Sequence, residues 1–355
     1  MAKRRKMAAP ARAPRPQPTP PPAASVARPR RWRGIALLSV LTLSGAAAAY
    51  WWRSTPLAEQ ALADAAPTPL TLLGPVNRCR GDLPFLRDKG FGNGAFFSTS
   101  ERTQRGLVAL ERRADGFARW QHPSWAAAGP MAAIALARDG AVFVIPAPHV
   151  SLSAELAGRQ NRVWRVDPLS GEMRTAIELP VPMPVSARNP FGTLGLAYDC
   201  DSHLLYVSSV AGSTPSAERG SLFQLALQPD GRAELRSRRD GIDAFGLAVA
   251  ATSQGKRLIY GRARTGEVEW IALDAAGGFA GTPERIASLA GLGPDGRDKP
   301  RRIDVSAEGI KVHGTSFEFN LQQPPAGRAA YHYLFRFDPA REAFEFSHVE
   351  VHAGR

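Results

Sequence analysis

The feature that most constrains this chain is a group of short β-strands that recurs along it at near-regular spacing. The strands are rich in Val, Ile, Leu, Phe and Tyr, and turn dipeptides such as Asp139-Gly140 and Asp230-Gly231 separate them, as expected of antiparallel strands. The units open at Ile134, Leu196, Leu247 and Ile303, at steps of 62, 51 and 56 residues. This repetition is typical of β-propeller blades, which are four-stranded sheets arranged around a central channel.

A weaker unit precedes these four, with strands expected at Ala95–Thr99, Gly106–Glu111 and Phe117–Gln121. We therefore predict an all-β domain, a β-propeller of five visible four-stranded blades. A sixth blade could be hidden in the divergent start, or be completed by Leu70–Leu73 pairing with the last blade. A β-sandwich is the structural alternative, because it needs a similar number of strands without the regular grouping.

A hydrophobic segment, Gly34–Trp52, precedes the β region. Its 19 residues are uncharged, and at 1.5 Å per residue a helix of this length reaches roughly the 30 Å of a bilayer's hydrocarbon core. The aromatic residues 50–52 are typical of a membrane interface and favour a retained transmembrane helix. Ala46–Ala49 offers an Ala-x-Ala pattern that a signal peptidase could cut, so a cleaved signal remains the alternative.

Most of the positive charge lies before this segment. The formal net charge is +13, and ten Lys and Arg residues precede Gly34 with no acidic residue among them. Excess Lys and Arg marks the cytoplasmic flank of a span. We therefore expect a cytoplasmic N-terminus, one pass through a bacterial inner membrane and a periplasmic C-terminal domain. The bacterial origin is inferred from the richness in Ala, Arg, Gly and Pro.

These patterns predict four regions. They are a basic, Pro-rich cytoplasmic tail at 1–33, the transmembrane segment or signal anchor at 34–52, a linker at 53–78 and the propeller at 79–355. The propeller itself is close to neutral. Because nucleic-acid binding needs clustered Lys and Arg on the folded domain, no nucleic-acid partner is expected.

Two of the unit openings carry a recognisable motif, Gly195-Leu-Ala followed by Leu205-Tyr and Gly246-Leu-Ala followed by Leu258-Ile-Tyr. They resemble the propeller superfamily that includes NHL repeats, gluconolactonase-like and strictosidine-synthase-like proteins. The resemblance covers most of residues 80–351 and implies a propeller fold.

The same resemblance implies calcium as a cofactor, because gluconolactonase-like members are calcium-dependent and often carry an Asn ligand directly before the Gly of an inner-strand opening. Here Phe191 precedes Gly192 and Phe245 precedes Gly246. A phenylalanine offers no oxygen to a hard cation. The residues themselves therefore predict no cofactor.

Polar residues nevertheless recur near the inner-strand openings. Asn189 and Asp243 each lie two residues before a Phe-Gly pair, Asp298 lies shortly before Arg301, and Asp304 lies within a strand opening. If they converge at the mouth of the channel, they could bind a cation or a polar ligand. The competing interpretation is that they are turn residues and interior acids that satisfy backbone groups.

The sequence contains no motif that is specific to a known catalytic reaction. A Gly-x-Ser-x-Gly elbow, a Walker loop and a paired catalytic carboxylate motif are all absent from the sequence. His348, Glu350 and His352 would share one face of a strand, a minimal metal-like grouping for which a solvated edge face is the competing interpretation. No catalytic residue and no metal-ligand set is predicted.

Cys79 and Cys200 are the only cysteines, and an oxidising compartment would allow them to pair. Cys79 precedes the first visible blade and Cys200 lies two blades further on. A disulfide therefore requires the segment before residue 82 to cross one face of the propeller, and two isolated thiols are the alternative.

The expected function is that of a membrane-anchored binding or scaffold module. The long loops 147–160, 211–220 and 320–330 are expected to recognise an envelope protein, because loops on a rigid scaffold can vary without disturbing the core. A divergent metal-dependent lactonase or esterase that uses Asn189, Asp243 and Asp304 is one alternative. A structural role in an envelope assembly is another.

Overall fold

The structure is a computed structural model, and it describes residues 73–76, 79, 81–100, 106–147, 158–181, 183, 189–294, 296–319 and 329–352. All of them belong to one compact unit, Thr68–Arg355. The predicted tail and the predicted span, Gly34–Trp52, lie outside the described residues. Within the part of the chain that the structure describes, no helix combines the length and the apolar character needed to cross a bilayer.

The described strands form five antiparallel sheets, and each sheet is one blade of the propeller. Blade 1 contains β2 (Phe96–Ser98), β3 (Val108–Arg113) and β4 (Gly116–Trp120). Blade 2 contains β5 (Met131–Leu136), β6 (Val142–Pro146), β7 (Arg162–Val166) and β8 (Met173–Glu178). Blade 3 contains β9 (Thr193–Asp199), β10 (Leu204–Ser209), β11 (Ser221–Leu227) and β12 (Ala233–Asp240). Blade 4 contains β13 (Ala244–Thr252), β14 (Gly255–Arg262), β15 (Glu267–Leu273) and β16 (Phe279–Ser288). Blade 5 contains β17 (Lys299–Ser306), β18 (Gly309–Thr315), β19 (Ala330–Asp338) and β20 (Ala343–His352).

The five-bladed propeller confirms the predicted all-β fold class and excludes the sandwich. The inner strands β5, β9, β13 and β17 pack side by side in chain order. Strands β9 and β13 are buried along nearly their whole length, because neighbouring blades cover both faces. In β17, by contrast, buried Ile303 and Val305 alternate with more accessible neighbours, as expected of a strand that is covered on one face.

A separate apolar core holds each successive pair of blades together. Phe143 and Phe223 belong to the core between blades 2 and 3, and Ile259 and Tyr333 to the core between blades 4 and 5. Blades 1 and 2 share a third core, and blades 3 and 4 a fourth. Among the described residues, no such core joins blade 5 to blade 1, so one face of blade 5 is free to carry polar side chains.

The glycines of the two motif openings lie where inner strands approach each other most closely. A Cβ atom at Gly195 would lie 2.0 Å from the carbonyl oxygen of Phe245, and one at Gly246 would lie 2.6 Å from that of Arg301. Such distances are far below van der Waals contact, so only glycine fits. The Gly-Leu-Ala motif thus reflects the packing of adjacent inner strands.

Blade 1 has three described strands and departs from the general prediction of four-stranded blades. These strands match the three that the sequence predicted for this unit, and the short helix α2 (Pro123–Ala128) follows them. Pro123 lies in its first turn, and the His122 side chain accepts a hydrogen bond from the Ser124 backbone N–H, both of which favour a helix start. The buried ring of Trp125 lies 4.9 Å from that of Trp120 and completes the core beside blade 2.

The residues ahead of blade 1 form what we call the N-terminal strap, residues 73–76, 79 and 81–83. Strand β1 (Gly74–Pro75) pairs with the end of β13, and the backbone N–H of Leu73 donates to the carbonyl oxygen of Ala307 in blade 5. The strap therefore joins blades 4 and 5 but adds no sixth blade. Its first strand lies inside the segment that the sequence assigned to the linker.

The strap then passes blades 3 and 2. The backbone N–H of Cys200 donates to the Val76 carbonyl, and that of Gly81 donates to the Ala137 carbonyl. A disulfide joins Cys79 to Cys200 with a Cα–Cα distance of 5.6 Å. The strap leads into helix α1 (Pro84–Arg87), whose Phe85 packs against Trp120. It thus contacts the same end of the inner strands in turn, and it crosses one face of the propeller.

Candidate functional site

A cavity of about 1860 Å³ is lined by inner-strand residues of all five blades and extends over one face of blade 5, where it reaches His332 and His348. It is larger than the roughly 300–1,000 Å³ of ordinary ligand pockets. Its apolar lining includes Phe191, Phe245 and Phe317. Its charged lining includes both cations and carboxylates: Arg301, Arg302, Lys311, Arg336, Asp304, Glu308 and Glu318. The cavity can therefore hold a ligand that has both an apolar and a charged part.

Phenylalanines gather at the mouth of the cavity that lies opposite the strap. Phe317 lies 5.0 Å from Phe191 and 5.0 Å from Phe245, measured between ring centroids, and Phe319 lies 5.2 Å from Phe317. The guanidinium of Arg264 lies 4.7 Å from the centroid of Phe319, within the range of a cation–π interaction. Inner-strand openings and the segment after β18 together build this aromatic mouth.

Asp243 lies beneath the mouth and is fully buried. Its carboxylate accepts hydrogen bonds from the Ser213 hydroxyl and, at 2.8 Å, from the Gly220 backbone N–H. Arg264 pairs with it at 2.6 Å and also donates to backbone carbonyls of the 211–220 loop, including that of Thr214 at 2.6 Å. Burial raises the pKa of Asp243 above its ordinary value, although these hydrogen bonds oppose the rise. Asp243 thus anchors the 211–220 loop.

Asn189 and Asp298 are also buried and bonded within the protein. The Asn189 side chain donates to the Val210 carbonyl at 2.6 Å and accepts from the Phe191 backbone N–H at 3.0 Å. Asp298 accepts a 2.8 Å hydrogen bond from the Tyr333 hydroxyl. Neither residue, nor Asp243, is among those that line the cavity. The structure therefore places all three near the inner-strand openings, as turn and loop anchors.

Arg301 and Asp304 do line the cavity. Asp304 accepts from Arg302 at 2.9 Å and lies 2.7 Å from Nε2 of His313. Burial alone would raise its pKa, but the His313 and Arg302 contacts lower it below its ordinary value.

Arg301 differs from all these groups because it has no hydrogen-bond or ion-pair partner within the part of the chain that the structure describes. Its side chain is accessible to the cavity. The surrounding protein, together with the neighbouring positive charge of Arg302, lowers its pKa from the ordinary value. An arginine remains charged at neutral pH even after such a shift, so Arg301 presents a positive charge to the cavity.

This arrangement does not fit calcium at the mouth. Calcium takes six to eight oxygen ligands, whereas the oxygens of Asn189 and Asp243 are engaged with backbone and side-chain donors. Phe191 and Phe245 line the cavity where the resemblance would have an Asn. The unpaired cation of Arg301 would further repel a metal ion.

A polar cluster lies on the face of blade 5 that no described core covers, and four of its members also line the cavity: Asp304, Lys311, His313 and His332. We call it the blade 5 histidine face: Asp304, Lys311, His313, His332, Glu350 and His352. The rings of His313 and His332 have centroids 4.0 Å apart, and those of His332 and His352 are 4.2 Å apart. Burial, with the neighbouring His313, His352 and Lys311, lowers the pKa of His332 to about 4. That ring is therefore neutral at physiological pH.

Sequence reasoning placed Glu350 and His352 with His348, but the structure brings His332 to them instead. Residues directly opposite each other on paired strands have side chains close together. His332 lies directly opposite Glu350 in the β19–β20 register. Finding it from sequence would have required that register, which no local pattern supplies.

Among protein-family models, curated proteins and solved structures, only solved structures match this chain. No protein-family model matches the chain, and no curated protein does. Among solved structures, a nidogen/laminin complex is 12% identical with a TM-score of 0.43, covering 73% of this chain and 79% of that one. A Lactobacillus plantarum protein is 10% identical with a TM-score of 0.43, covering 74% and 84% respectively. The periplasmic gluconolactonase of Pseudomonas aeruginosa is 13% identical with a TM-score of 0.36, covering 72% and 82%. The strand pairing described above establishes the propeller fold independently of these comparisons.

Proposed function

We propose that this protein is a membrane-anchored, periplasmic β-propeller that binds a small organic anion in its central cavity. The observation that carries the proposal is Arg301, an arginine that faces the cavity without an acidic partner among the described residues. The Arg301 side chain is accessible from the cavity, so a ligand can reach its guanidinium. A carboxylate, phosphate or sulfate on the ligand would supply the missing partner, and a guanidinium can hold such a group with two parallel hydrogen bonds.

The rest of the lining defines the other part of the ligand. Phe191, Phe245 and Phe317 provide an apolar surface at the mouth, and such a surface favours aromatic or aliphatic groups. A ligand with an anionic head and an apolar body matches both. Inorganic anions have no apolar part to cover the aromatic surface, which would remain hydrated. They should therefore bind less tightly than anions with an apolar body.

The proposed location rests on the predicted span and on cysteine chemistry. A cytoplasmic N-terminal tail and one span at 34–52 would place the propeller in the periplasm, and the Cys79–Cys200 disulfide supports this location because such bonds persist in oxidising compartments. We propose that the 211–220 loop, which Asp243 and Arg264 hold in place, forms part of a surface for an envelope protein.

A screen of matched ligand pairs tests the proposed function. Full-length protein in detergent would be titrated with aryl and alkyl carboxylates and phosphates. For each anion, the uncharged alcohol with the same carbon skeleton would be titrated as the matched control. We expect saturable binding of the anions and none of the alcohols. Equal binding of both members of the pairs would contradict a role for Arg301. Turnover of lactones or aryl esters by the same sample would favour the hydrolase instead.

A further inference from the structure

We propose that His332, Glu350 and His352 form a binding site for a divalent transition-metal ion of the zinc class on blade 5. Nδ1 of His332 lies 3.9 Å from Oε2 of Glu350, and Nε2 of His352 lies 3.5 Å from the same oxygen. One ligand atom from each of the three residues lies within 4.8 Å of the other two. In a tetrahedral site with bonds of about 2.1 Å, ligand atoms are about 3.4 Å apart. Small side-chain rotations therefore suffice to close the site.

The chemistry of the three ligands selects the class of metal. Two imidazole nitrogens and one carboxylate oxygen are the ligand types that zinc and its neighbours prefer. Calcium and magnesium prefer oxygen ligands alone, so they should compete poorly. Three protein ligands leave a fourth tetrahedral position for water.

The strand register holds the ligands in place. His332 and Glu350 face each other across the β19–β20 pair, and His352 follows Glu350 by two residues on the same strand. The imidazole of His313 lies against that of His332, and Asp304 contacts His313 at 2.7 Å. His332 is therefore supported from the inner side of the blade. Glu350 and His352 are partly exposed, which leaves a path for the metal to enter.

The ammonium group of Lys311 forms an ion pair with the carboxylate that would bind the metal. Its Nζ lies 3.0 Å from Oε2 of Glu350, the oxygen that lies closest to both histidines. A metal ion at this oxygen would displace the ammonium group, because two cations cannot share one carboxylate oxygen without repulsion. The site should therefore bind more tightly when Lys311 is removed.

Zinc titration of the full-length protein against a chromophoric chelator tests the proposal, with cobalt as a spectroscopic probe of geometry. We expect one saturable site with micromolar or tighter affinity and a cobalt spectrum of a four-coordinate nitrogen and oxygen site. His332→Ala should weaken zinc binding by more than the roughly 10–100-fold that the loss of an outer-shell partner costs. Lys311→Met should strengthen it about two- to fivefold, the scale of a half-exposed ion pair.

His348→Ala is the matched control, because His348 lies two residues before Glu350 on the same strand but outside the three-residue group. It should leave zinc affinity unchanged. An equal loss of affinity in His348→Ala and His332→Ala would overturn the assigned ligands. The absence of saturable zinc or cobalt binding by the folded wild-type protein would overturn the site itself. Metal binding by these three residues does not require an anion at Arg301. A negative result for zinc therefore leaves the proposed anion site standing, and a negative result for anions leaves the proposed metal site standing.

Discussion

At the scale of single residues, Asp243 and Arg301 illustrate two different uses of a charged side chain near the mouth of the channel. Asp243 is enclosed, and its oxygens accept hydrogen bonds from Ser213, Gly220 and Arg264. Arg301 faces the cavity and has no such partner among the described residues. The first arrangement stabilises the fold, whereas the second leaves a charge for a ligand.

Replacing Asp243 by Asn should therefore reduce stability. We expect the free energy of unfolding to fall by about 1.5–3 kcal/mol, because the substitution removes a charged acceptor and leaves Arg264 partly buried without its carboxylate. Chemical denaturation measures the change. The control is Asp230→Asn, which breaks an exposed pair with Arg232 and should cost no more than about 1 kcal/mol. Equal effects of the two substitutions would contradict the assigned role of Asp243.

Sequence reasoning located Asn189 and Asp243 and gave a turn-residue role as one of two interpretations, but it did not identify their partners. Asn189 and Asp243 were placed near strand openings because each precedes a Phe-Gly pair. Their partners, Val210, Ser213 and Arg264, come from other strands and loops. Which side chains meet depends on how blades pack, and a single sequence does not contain that information in local form.

At the scale of elements, the strands were predictable, whereas the path of the strap was predicted only as one of two alternatives. Local sequence patterns agree with the burial of the strands. Apolar and polar residues alternate in β17, and β13 is an uninterrupted apolar run. The strap contains only the two-residue strand β1. It is held by backbone pairs to separate blades and by the Cys79–Cys200 bond. The sequence indicated that such a bond requires this segment to cross one face of the propeller, but it left two isolated thiols as the alternative.

Reduction of the disulfide should loosen the strap and destabilise the propeller. The bond closes a sequence separation of 121 residues, and the loss of a native disulfide of this kind costs about 2–5 kcal/mol. Thermal unfolding with and without a reductant measures the effect. The same reductant should not change the unfolding of the Cys79→Ser, Cys200→Ser double variant. An unchanged melting temperature in the wild-type protein would contradict a stabilising role for the strap.

At the scale of the whole molecule, the fold depends on the contacts between successive blades. Each pair from blade 1 to blade 5 shares its own apolar core, and the strap adds links along one face. None of these contacts requires the predicted tail or span. The repeat spacing in the sequence predicted the propeller because blades 2 to 5 repeat the same local pattern, whereas blade 1 departs from it.

Residues 68–355 alone should therefore fold. We expect a β-rich circular dichroism spectrum and one cooperative unfolding transition, since the compact unit begins at Thr68. A matched fragment that begins at residue 82 lacks β1 and Cys79 and should unfold at a lower temperature. A disordered 68–355 fragment would show that the propeller needs its N-terminal region to fold.

The measurement that tests the central claim most directly is calorimetric titration of the best anion from the matched-pair screen into wild-type and Arg301→Gln proteins. We predict that the substitution weakens binding about 10- to 150-fold, equivalent to the 1.5–3 kcal/mol of a hydrogen bond to a charged group. The same substitution should leave the melting temperature nearly unchanged, because Arg301 has no internal partner among the described residues. Arg232→Gln removes an exposed positive charge far along the chain and should bind the anion as the wild type does. Equal affinities for wild-type and Arg301→Gln proteins would contradict the account.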